Sequence, residues 1–180
     1  MKKLLILLFS LLISFNSYGE TETVYYENGQ KKSEKNYKDG KQDSATKWHE
    51  NGQLLTQGNF IDGKKDGKWI SWYENGQLLT QGNFKDDKKD GKSTYWYENG
   101  QIRTEENYKD DNLISQTDYY KNGQIRTEEN YKDGKLDGVY NWWYENGQKK
   151  IEAYFKDGKD VNWTEWRING KKKWNCWGLC

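Results

Sequence analysis

The chain is organised around one dipeptide, Asn-Gly, which recurs seven times at an almost constant interval. Its copies begin at Asn28, Asn51, Asn75, Asn99, Asn122, Asn146 and Asn169. Successive copies are 23 or 24 residues apart. So regular a period is the signature of a repeat protein, in which one supersecondary unit is copied and each copy covers its neighbour. The period therefore constrains the fold before any other feature is considered.

Each period contains two turn signals. Asn-Gly favours a two-residue type I′ turn, because both central residues of that turn have positive φ, which Asn and Gly tolerate. A second signal, Asp-Gly, begins at Asp39, Asp62, Asp133 and Asp157, and Asp86-Asp87 and Asp110-Asp111 replace it in two copies. Two turns in a period of about two dozen residues leave two strands of roughly 6 to 8 residues, which is ordinary strand length.

The residues between the turns are typical of strands. Aromatic pairs such as Trp72-Tyr73 precede Asn-Gly, and runs such as residues 78–84 follow it and end on an aromatic residue. Aromatic residues favour a pleated, half-buried surface, and their large buried area closes a thin core. We therefore predict an all-β fold: a repetitive single-layer antiparallel β-meander of tandem hairpins, with about seven repeats of 23–24 residues. Residues 110–114, which lack the second Asp-Gly, are the expected place for a kink or a looser junction.

The turn type decides which side chains share a face. With a two-residue Asn-Gly loop, Tyr73 pairs with Leu78, and Trp72 lies on the opposite face with Leu79. A bulged turn moves one strand by a residue and changes that assignment.

The first nineteen residues are predicted to be a secretory signal peptide. Lys2 and Lys3 are followed by an apolar run of about a dozen residues and by small residues before Glu20. This pattern predicts cleavage between Gly19 and Glu20 and a secreted or periplasmic, envelope-associated protein. The alternative is an uncleaved anchor helix, but the run is short for a bilayer span of ~20 residues. A lipoprotein anchor is not expected, because no Cys lies near the junction.

The charge balance excludes one class of partner. Removing Lys2 and Lys3 with the leader leaves 27 basic residues against 28 acidic ones. Charges of both signs are interspersed, so no basic field exists to attract nucleic acid. The repeat array is expected to span residues 20–173.

Residues 174–180 depart from the repeat and are expected to form a C-terminal cap. Cys176 and Cys180 are the only cysteines, and in a secreted chain such a pair predicts one disulfide. Free thiols or pairing with another chain are the alternatives. A metal site is not expected, because two thiols and the single His49 do not complete a tetrahedral shell.

Two short motifs resemble a known family. Tyr-x-Asn-Gly-Gln occurs at residues 26–30, 73–77, 97–101, 120–124 and 144–148, and Tyr/Phe-Lys-Asp-Gly-Lys at 37–41, 131–135 and 155–159. Over about residues 24–173 these motifs resemble bacterial MORN-type repeats, in the variant described as MORN-2 or the antitoxin-module (YwqK-like) type. His49 and Arg167 stand where Tyr is usual, so we expect shorter or frayed edges there.

The resemblance implies a ribbon of β-hairpins that serves as a binding or scaffolding surface for proteins or membranes. Some members are labelled antitoxins, which implies neutralisation of a partner protein. MORN repeats also accompany certain plant phosphoinositide kinases, but this sequence has no Gly-rich phosphate loop and no His-Arg-Asp segment. A kinase activity is therefore not expected.

The sequence thus predicts a non-catalytic protein-binding surface, antitoxin-like or host-interacting, without cofactor, metal or catalytic residues. The candidate binding residues are Trp72, Trp96, Arg103 and Trp143, because Trp and Arg dominate interface energetics. Carboxylate pairs such as Glu105-Glu106 are interpreted as sheet surface. The alternative is a cell-wall, glycan- or choline-binding module whose exposed rings stack on its ligand. Binding to membrane phospholipid is less favoured.

Overall fold

The described part of the chain folds into antiparallel β-hairpins. The structure is a computed structural model that describes residues 19–173 and the backbone of residues 12–16. It contains sixteen strands, and no helix occurs among the described residues. The predicted all-β meander is therefore confirmed. The chain divides into two compact units, Met1–Asp87 and Lys88–Cys180, and each is described by itself.

Unit 1 contains seven strands, each pairing with the next. They are β1 (Leu12–Asn16), β2 (Gly19–Tyr25), β3 (Lys31–Lys38), β4 (Lys41–Trp48), β5 (Leu54–Ile61), β6 (Lys64–Trp72) and β7 (Leu78–Lys85). Strand β1 lies within the predicted signal peptide, and the predicted cleavage site between Gly19 and Glu20 lies in β2. Cleavage there would remove the strand that pairs with β2, and it remains a prediction.

Unit 2 contains the remaining nine strands. They are β8 (Lys88–Lys89), β9 (Gly91–Trp96), β10 (Ile102–Lys109), β11 (Asn112–Tyr119), β12 (Ile125–Lys132), β13 (Lys135–Leu136), β14 (Gly138–Trp143), β15 (Lys149–Lys156) and β16 (Lys159–Glu165). From β9 onward they form one antiparallel order in which both the short β13 and β14 pair with β12. A bridge between Trp166 and Lys172 closes a last hairpin. The expected C-terminal cap, with Cys176 and Cys180, lies outside the described residues.

The Asn-Gly turns are three-residue loops, so the expectation of type I′ turns there is wrong. In the first copy, the Tyr26 N–H donates to the Gln30 carbonyl at 2.8 Å, and the Gly29 N–H donates to the Tyr26 carbonyl at 3.0 Å. Only Gly29 has positive φ, at 83°. The Asn28 Oδ1 accepts the Gln30 N–H at 2.9 Å, and this local bond holds Asn outside the left-handed region.

The same loop closes all seven copies, and the first six end in a bulge. The extra residue changes the cross-strand pairing: Trp72 pairs with Leu78, and Ser71 with Thr80. The face assignment that follows from a two-residue loop is therefore wrong at the turn, whereas the bulged alternative is correct.

The type I′ turns are those at Asp-Gly. Asp39 and Gly40 have φ of 51° and 72°, and Lys38 pairs directly with Lys41 across the loop. The two Asp-Asp copies adopt the same geometry, with Asp87 at φ 69° and Asp111 at φ 66°.

A reciprocal pair of bonds accompanies each of these unusual Asp conformations. The Asp87 Oδ1 accepts the Lys65 N–H at 2.7 Å, and the Asp87 N–H donates to the Lys65 carbonyl at 2.9 Å. Asp111 makes the same two bonds with Lys89. The junction at residues 110–114 is thus held by a turn and its bonds, contrary to the expected loosening.

Successive Asn-Gly turns within a unit are tied together by side chains. The Tyr26 hydroxyl donates to the Trp48 carbonyl at 2.8 Å, and the Tyr120 hydroxyl to the Trp143 carbonyl at 2.7 Å. The Asn122 Nδ2 also donates to the Glu145 carbonyl of the next copy, at 2.9 Å. Within a unit, these bonds brace one copy against the copy that follows it.

The two copies that lack the usual Tyr still close their turns, and the His49 copy also keeps the bond to the next copy. The His49 Nε2 lies 3.0 Å from the Trp72 carbonyl oxygen, the place that a Tyr hydroxyl takes in other copies. In the last copy the Arg167 N–H still donates to the Lys171 carbonyl, at 2.8 Å. The expected fraying is wrong at His49, because backbone bonds close that turn without the ring. At Arg167 the expected shorter edge is present: the turn is closed, but the described residues beyond it pair through the isolated Trp166–Lys172 bridge instead of a strand.

The units have almost no apolar interior. Ala153, 5% exposed, is the only buried hydrophobic residue among those described, and no large side chain there is fully buried. The other buried side chains are small or polar, such as Ser93 and Asp118. Cross-strand pairs and turn-to-turn bonds therefore hold each layer together.

Candidate binding surface

A row of aromatic rings runs along one face of unit 2. Side chains two apart on a strand share a face, and the register puts Trp96, Tyr119 and Trp143 on the same one, here called the front face. Trp96 pairs with Ile102, Tyr119 with Ile125 and Trp143 with Lys149. Each ring is half-buried. Because the rings lie on every second strand, adjacent rings are about 10 Å apart.

Unit 1 has the same row on its own front face. Trp48 pairs with Leu54, and Trp72 pairs with Leu78. Both rings are half-buried, and the Lys31 ammonium lies 5.5 Å from the centre of the Trp48 ring. In unit 2 the Lys149 ammonium lies 5.7 Å from Trp143 in the same way.

Polar side chains cover much of the remaining front face of unit 2, where the exposed apolar residues Val139 and Tyr154 also lie. Glu105 accepts from the Tyr119 hydroxyl at 3.1 Å and forms an ion pair with Lys92 at 2.6 Å. Asn107 donates to the Ser115 hydroxyl at 2.9 Å. The aromatic row, with Val139 and Tyr154, is thus the apolar part of this face.

Three of the four candidate binding residues occupy equivalent front-face positions: Trp72 in unit 1, and Trp96 and Trp143 in unit 2. Arg103 lies elsewhere. Its guanidinium is 5.7 Å from the centre of the Tyr95 ring, on the opposite, back face of unit 2. The bulge at the Asn-Gly turn turns Arg103 away from Trp96, so these two residues do not form one contact patch.

A hydrogen-bonded cluster lies on the back face of unit 2. The Lys89 ammonium donates to the hydroxyls of Tyr95 and Tyr108 at 2.8 and 3.2 Å and lies 3.6 Å from Glu106. The Tyr108 hydroxyl donates to Glu106 at 2.8 Å. Burial, and next the hydrogen bond to Glu106, raises the pKa of Tyr95 and of Tyr108. Both phenols therefore remain protonated donors at neutral pH.

Asp118 is the one carboxylate that is buried on the back face of unit 2, at 8% exposure among the described residues. It accepts from the Thr104 hydroxyl at 2.7 Å and from the Arg126 guanidinium at 2.8 Å. Gln116 and Thr127 donate to it at 3.2 and 3.3 Å. Burial raises the pKa of Asp118, but these bonds outweigh burial, and the net shift is downward. Asp118 is thus a saturated structural anion.

An aromatic cluster lies on the back face of unit 1. The rings of Phe60 and Trp69 meet edge to face at 5.2 Å and 88°, and Trp69 and Phe84 meet at 6.3 Å and 71°. The Lys65 ammonium lies 4.4 Å from the centre of Trp69 and 5.2 Å from that of Phe84. Sequence reasoning missed this cluster, although Gly58 in the middle of a strand is a signal for a close approach.

Residues 19–173 contain no arrangement of side chains that is recognisable as a catalytic constellation. Glu105 and Glu106 point to opposite faces of unit 2 and therefore do not act together on one substrate. Within the described part of the chain, no group of three or more acidic, His or Cys side chains is placed to hold a metal ion. The same residues include no helix with the length and apolarity of a membrane span.

Comparison with protein families agrees with the geometry. A model of the MORN repeat variant matches residues 21–39, 44–62, 65–86, 89–110, 115–133 and 136–157. The chain belongs to the MORN repeat family. No curated protein matches it.

The six MORN matches follow the structural repeat. They cover most of residues 21–157, whereas the seventh Asn-Gly copy, at Asn169, lies beyond the last match. MORN repeats generally contact proteins or membranes, and the family is generally non-catalytic. The resemblance to MORN repeats in the sequence is thus confirmed.

Proposed function

We propose that this chain is a secreted or envelope-associated, non-catalytic MORN-repeat protein whose front-face aromatic row binds another protein. The observation that carries the proposal is the row of Trp96, Tyr119 and Trp143 in unit 2. Three half-buried rings at intervals of about 10 Å extend over roughly 20 Å. A small substrate contacts one such ring, whereas a protein surface engages all three.

The composition of the row supports a protein partner. Aromatic residues are enriched at the centres of protein interfaces, and polar residues form the rim. In unit 2 the rings are flanked by Ile102 and Ile125, and the same face carries the apolar Val139 and hydrophilic side chains such as Glu105. An antitoxin-like or host-directed role would use this same surface. Export is supported by the charged tip, apolar run and small residues that precede Glu20.

The test is affinity capture by the chain that begins at Glu20, with single substitutions on the two faces of unit 2. Replacing Trp96 or Trp143 with Ala is expected to weaken binding of the captured protein by about tenfold or more, as for a hot-spot residue. Arg103→Ala, on the back face, is the matched control and should leave the affinity within about twofold.

Equal losses for the Trp and Arg variants would contradict a front-face site. Full retention by a variant that lacks both Trp96 and Trp143 would refute the proposed surface. Circular dichroism of each variant checks that a loss of affinity does not reflect unfolding.

The second candidate is a glycan-binding module, and the regular spacing of the rings favours it over a membrane-binding one. A glycan polymer with a repeating unit presents equivalent faces to equivalently spaced rings. The mature chain has 27 basic and 28 acidic residues, so it has no basic field that would attract anionic lipid. Tryptophan fluorescence during titration with soluble cell-wall glycans tests the glycan-binding candidate. A saturable change lost on Trp96→Ala would favour the glycan.

A further inference from the structure

The back face of unit 1 contains a half-exposed notch with two aromatic walls. The walls are Trp69 and Phe84, whose planes meet at 71°, and Phe60 supports Trp69 from its edge. The Lys65 ammonium lies over both ring faces, 4.4 and 5.2 Å from their centres. A cation over two nearly perpendicular ring faces is attracted by both quadrupoles. The notch is therefore already shown to accept a cation.

The principal wall is held in place. The Trp69 Nε1–H donates to the Asn59 carbonyl at 3.1 Å. The ring lies directly on Gly58, where a Cβ atom would be only 2.2 Å from the Trp69 Cδ2. The absence of a side chain at Gly58 thus allows the indole to lie against the strand. Because the ring has a fixed position before any ligand arrives, binding does not have to order it.

The next copy shows what is unusual about the notch. One period after Lys65 comes Lys89, whose ammonium has a carboxylate, Glu106, at 3.6 Å and the Tyr95 and Tyr108 hydroxyls at hydrogen-bond distance. The positions that correspond to Glu106 and Tyr108 are Gly82 and Phe84, which supply neither a charge nor a hydroxyl, and the Tyr95 position is Ser71, whose hydroxyl is hydrogen-bonded to that of Thr80 at 2.6 Å. Within residues 19–173 the Lys65 ammonium has ring partners and no ion pair.

The notch is therefore a poor environment for the Lys65 ammonium group. An ammonium group is strongly hydrated and carries three donors, and aromatic faces satisfy these less well than water or an anion does. A trimethylammonium group has no donors, is weakly hydrated and offers methyl groups to the rings. The aromatic walls of the notch therefore suit a trimethylammonium group better than the Lys65 ammonium.

We propose that the notch formed by Phe60, Trp69 and Phe84 binds a trimethylammonium group, which displaces the Lys65 side chain into solvent. The ligand class comprises choline, betaines and trimethylated lysine. With two principal rings and no anion to assist, we expect a dissociation constant on the order of a millimolar. The site is on the face opposite the Trp48–Trp72 row and is independent of the protein-binding proposal.

The test is nuclear magnetic resonance of the chain that begins at Glu20, labelled with ¹⁵N and titrated with choline chloride. The Trp69 indole N–H signal, assigned by its loss in Trp69→Phe, should shift in a saturable manner. The neutral isostere 3,3-dimethylbutanol at equal concentration should shift it far less, and sodium chloride should leave it unchanged. An equal response to the neutral isostere would overturn the proposal.

Lys65→Ala provides a test that keeps all three rings. Removing the internal competitor should tighten choline binding several-fold, whereas the matched variant Lys89→Ala should leave it unchanged. Unchanged or weaker binding by Lys65→Ala would refute displacement.

Phosphatidylcholine vesicles and a trimethyl-lysine peptide, each compared with its unmethylated counterpart, identify the source of the group. A shift at Trp69 that depends on methylation in either arm supports the site. No methylation-dependent shift with these probes or with choline overturns it.

Discussion

The close contact between Gly58 and Trp69 leads to a specific prediction about stability. A Cβ atom on residue 58 would lie 2.2 Å from the Trp69 Cδ2 and 2.3 Å from Cε2, well inside van der Waals contact. The indole has little freedom to move away, because its Nε1–H is bonded to the Asn59 carbonyl and its face meets the edge of Phe60. Gly58→Ala therefore forces the ring or the strand to shift.

The expected cost follows from three contributions. Overpacking costs about 1–3 kcal/mol, and disturbing the edge-to-face ring pair costs ~0.5–1.5 kcal/mol. Replacing Gly by Ala within a strand returns about 0.5–1 kcal/mol. We expect Gly58→Ala to lower the free energy of unfolding by about 2 kcal/mol.

A double-mutant cycle with Trp69→Leu measures the contact itself. Once the indole is removed, Gly58→Ala should be neutral or stabilising by about 0.5–1 kcal/mol, so the coupling free energy should be about 2–3 kcal/mol. Urea denaturation of the four proteins, followed by circular dichroism, provides the values. A neutral effect of Gly58→Ala in the parent protein, or the same loss in both backgrounds, would refute the reasoning.

Three further variants test the other contacts that hold the layers. Asp118→Asn removes a carboxylate whose pKa is lowered in the fold, so the variant should lose about 2 kcal/mol at pH 7. The parent should lose this contribution as pH falls below about 4, whereas the variant should not; parallel denaturation profiles from pH 7 to 3 would contradict this. Asn122→Asp keeps the turn acceptor but loses the Nδ2 donor to the next copy, at a cost of about 1 kcal/mol by urea denaturation. The same change at Asn169, which caps its own turn, should cost less, and equal losses would argue against bracing. Asp87→Ala should cost about 1–3 kcal/mol, because it keeps the positive φ and leaves the Lys65 N–H unpaired. Asp87→Gly loses the same bond but tolerates the positive φ, so it should cost less; the reverse order of melting temperatures would contradict this.

The period and the turn positions were predictable because both are local. Asn-Gly and Asp-Gly mark chain reversal wherever they occur, and the hairpin meander follows from two such signals per period. The turn type was not predictable from the dipeptide alone. The Asn28 side chain bonds the Gln30 N–H and converts a two-residue loop into a bulged one, and the extra residue then separates Arg103 from Trp96.

The side-chain clusters were less accessible to sequence reasoning. Periodicity places the aromatic residues on strands, but it does not say that Lys65 lies over Trp69 or that Asp118 collects four donors. Those contacts depend on cross-strand register, which the bulges set. Gly58 and Gly82 were the available signal for the notch, because a Gly within an otherwise regular strand marks a close approach.

Site-specific photocrosslinking tests the proposed binding surface most directly. A photoreactive phenylalanine is introduced singly at Trp96, Tyr119 or Trp143, and at Phe155 on the back face of unit 2 as the control. The account predicts that the three front-face positions crosslink to the same protein and that the Phe155 position does not. Crosslinks from Phe155 alone, or three different products from the front face, would contradict a single protein partner on the aromatic row.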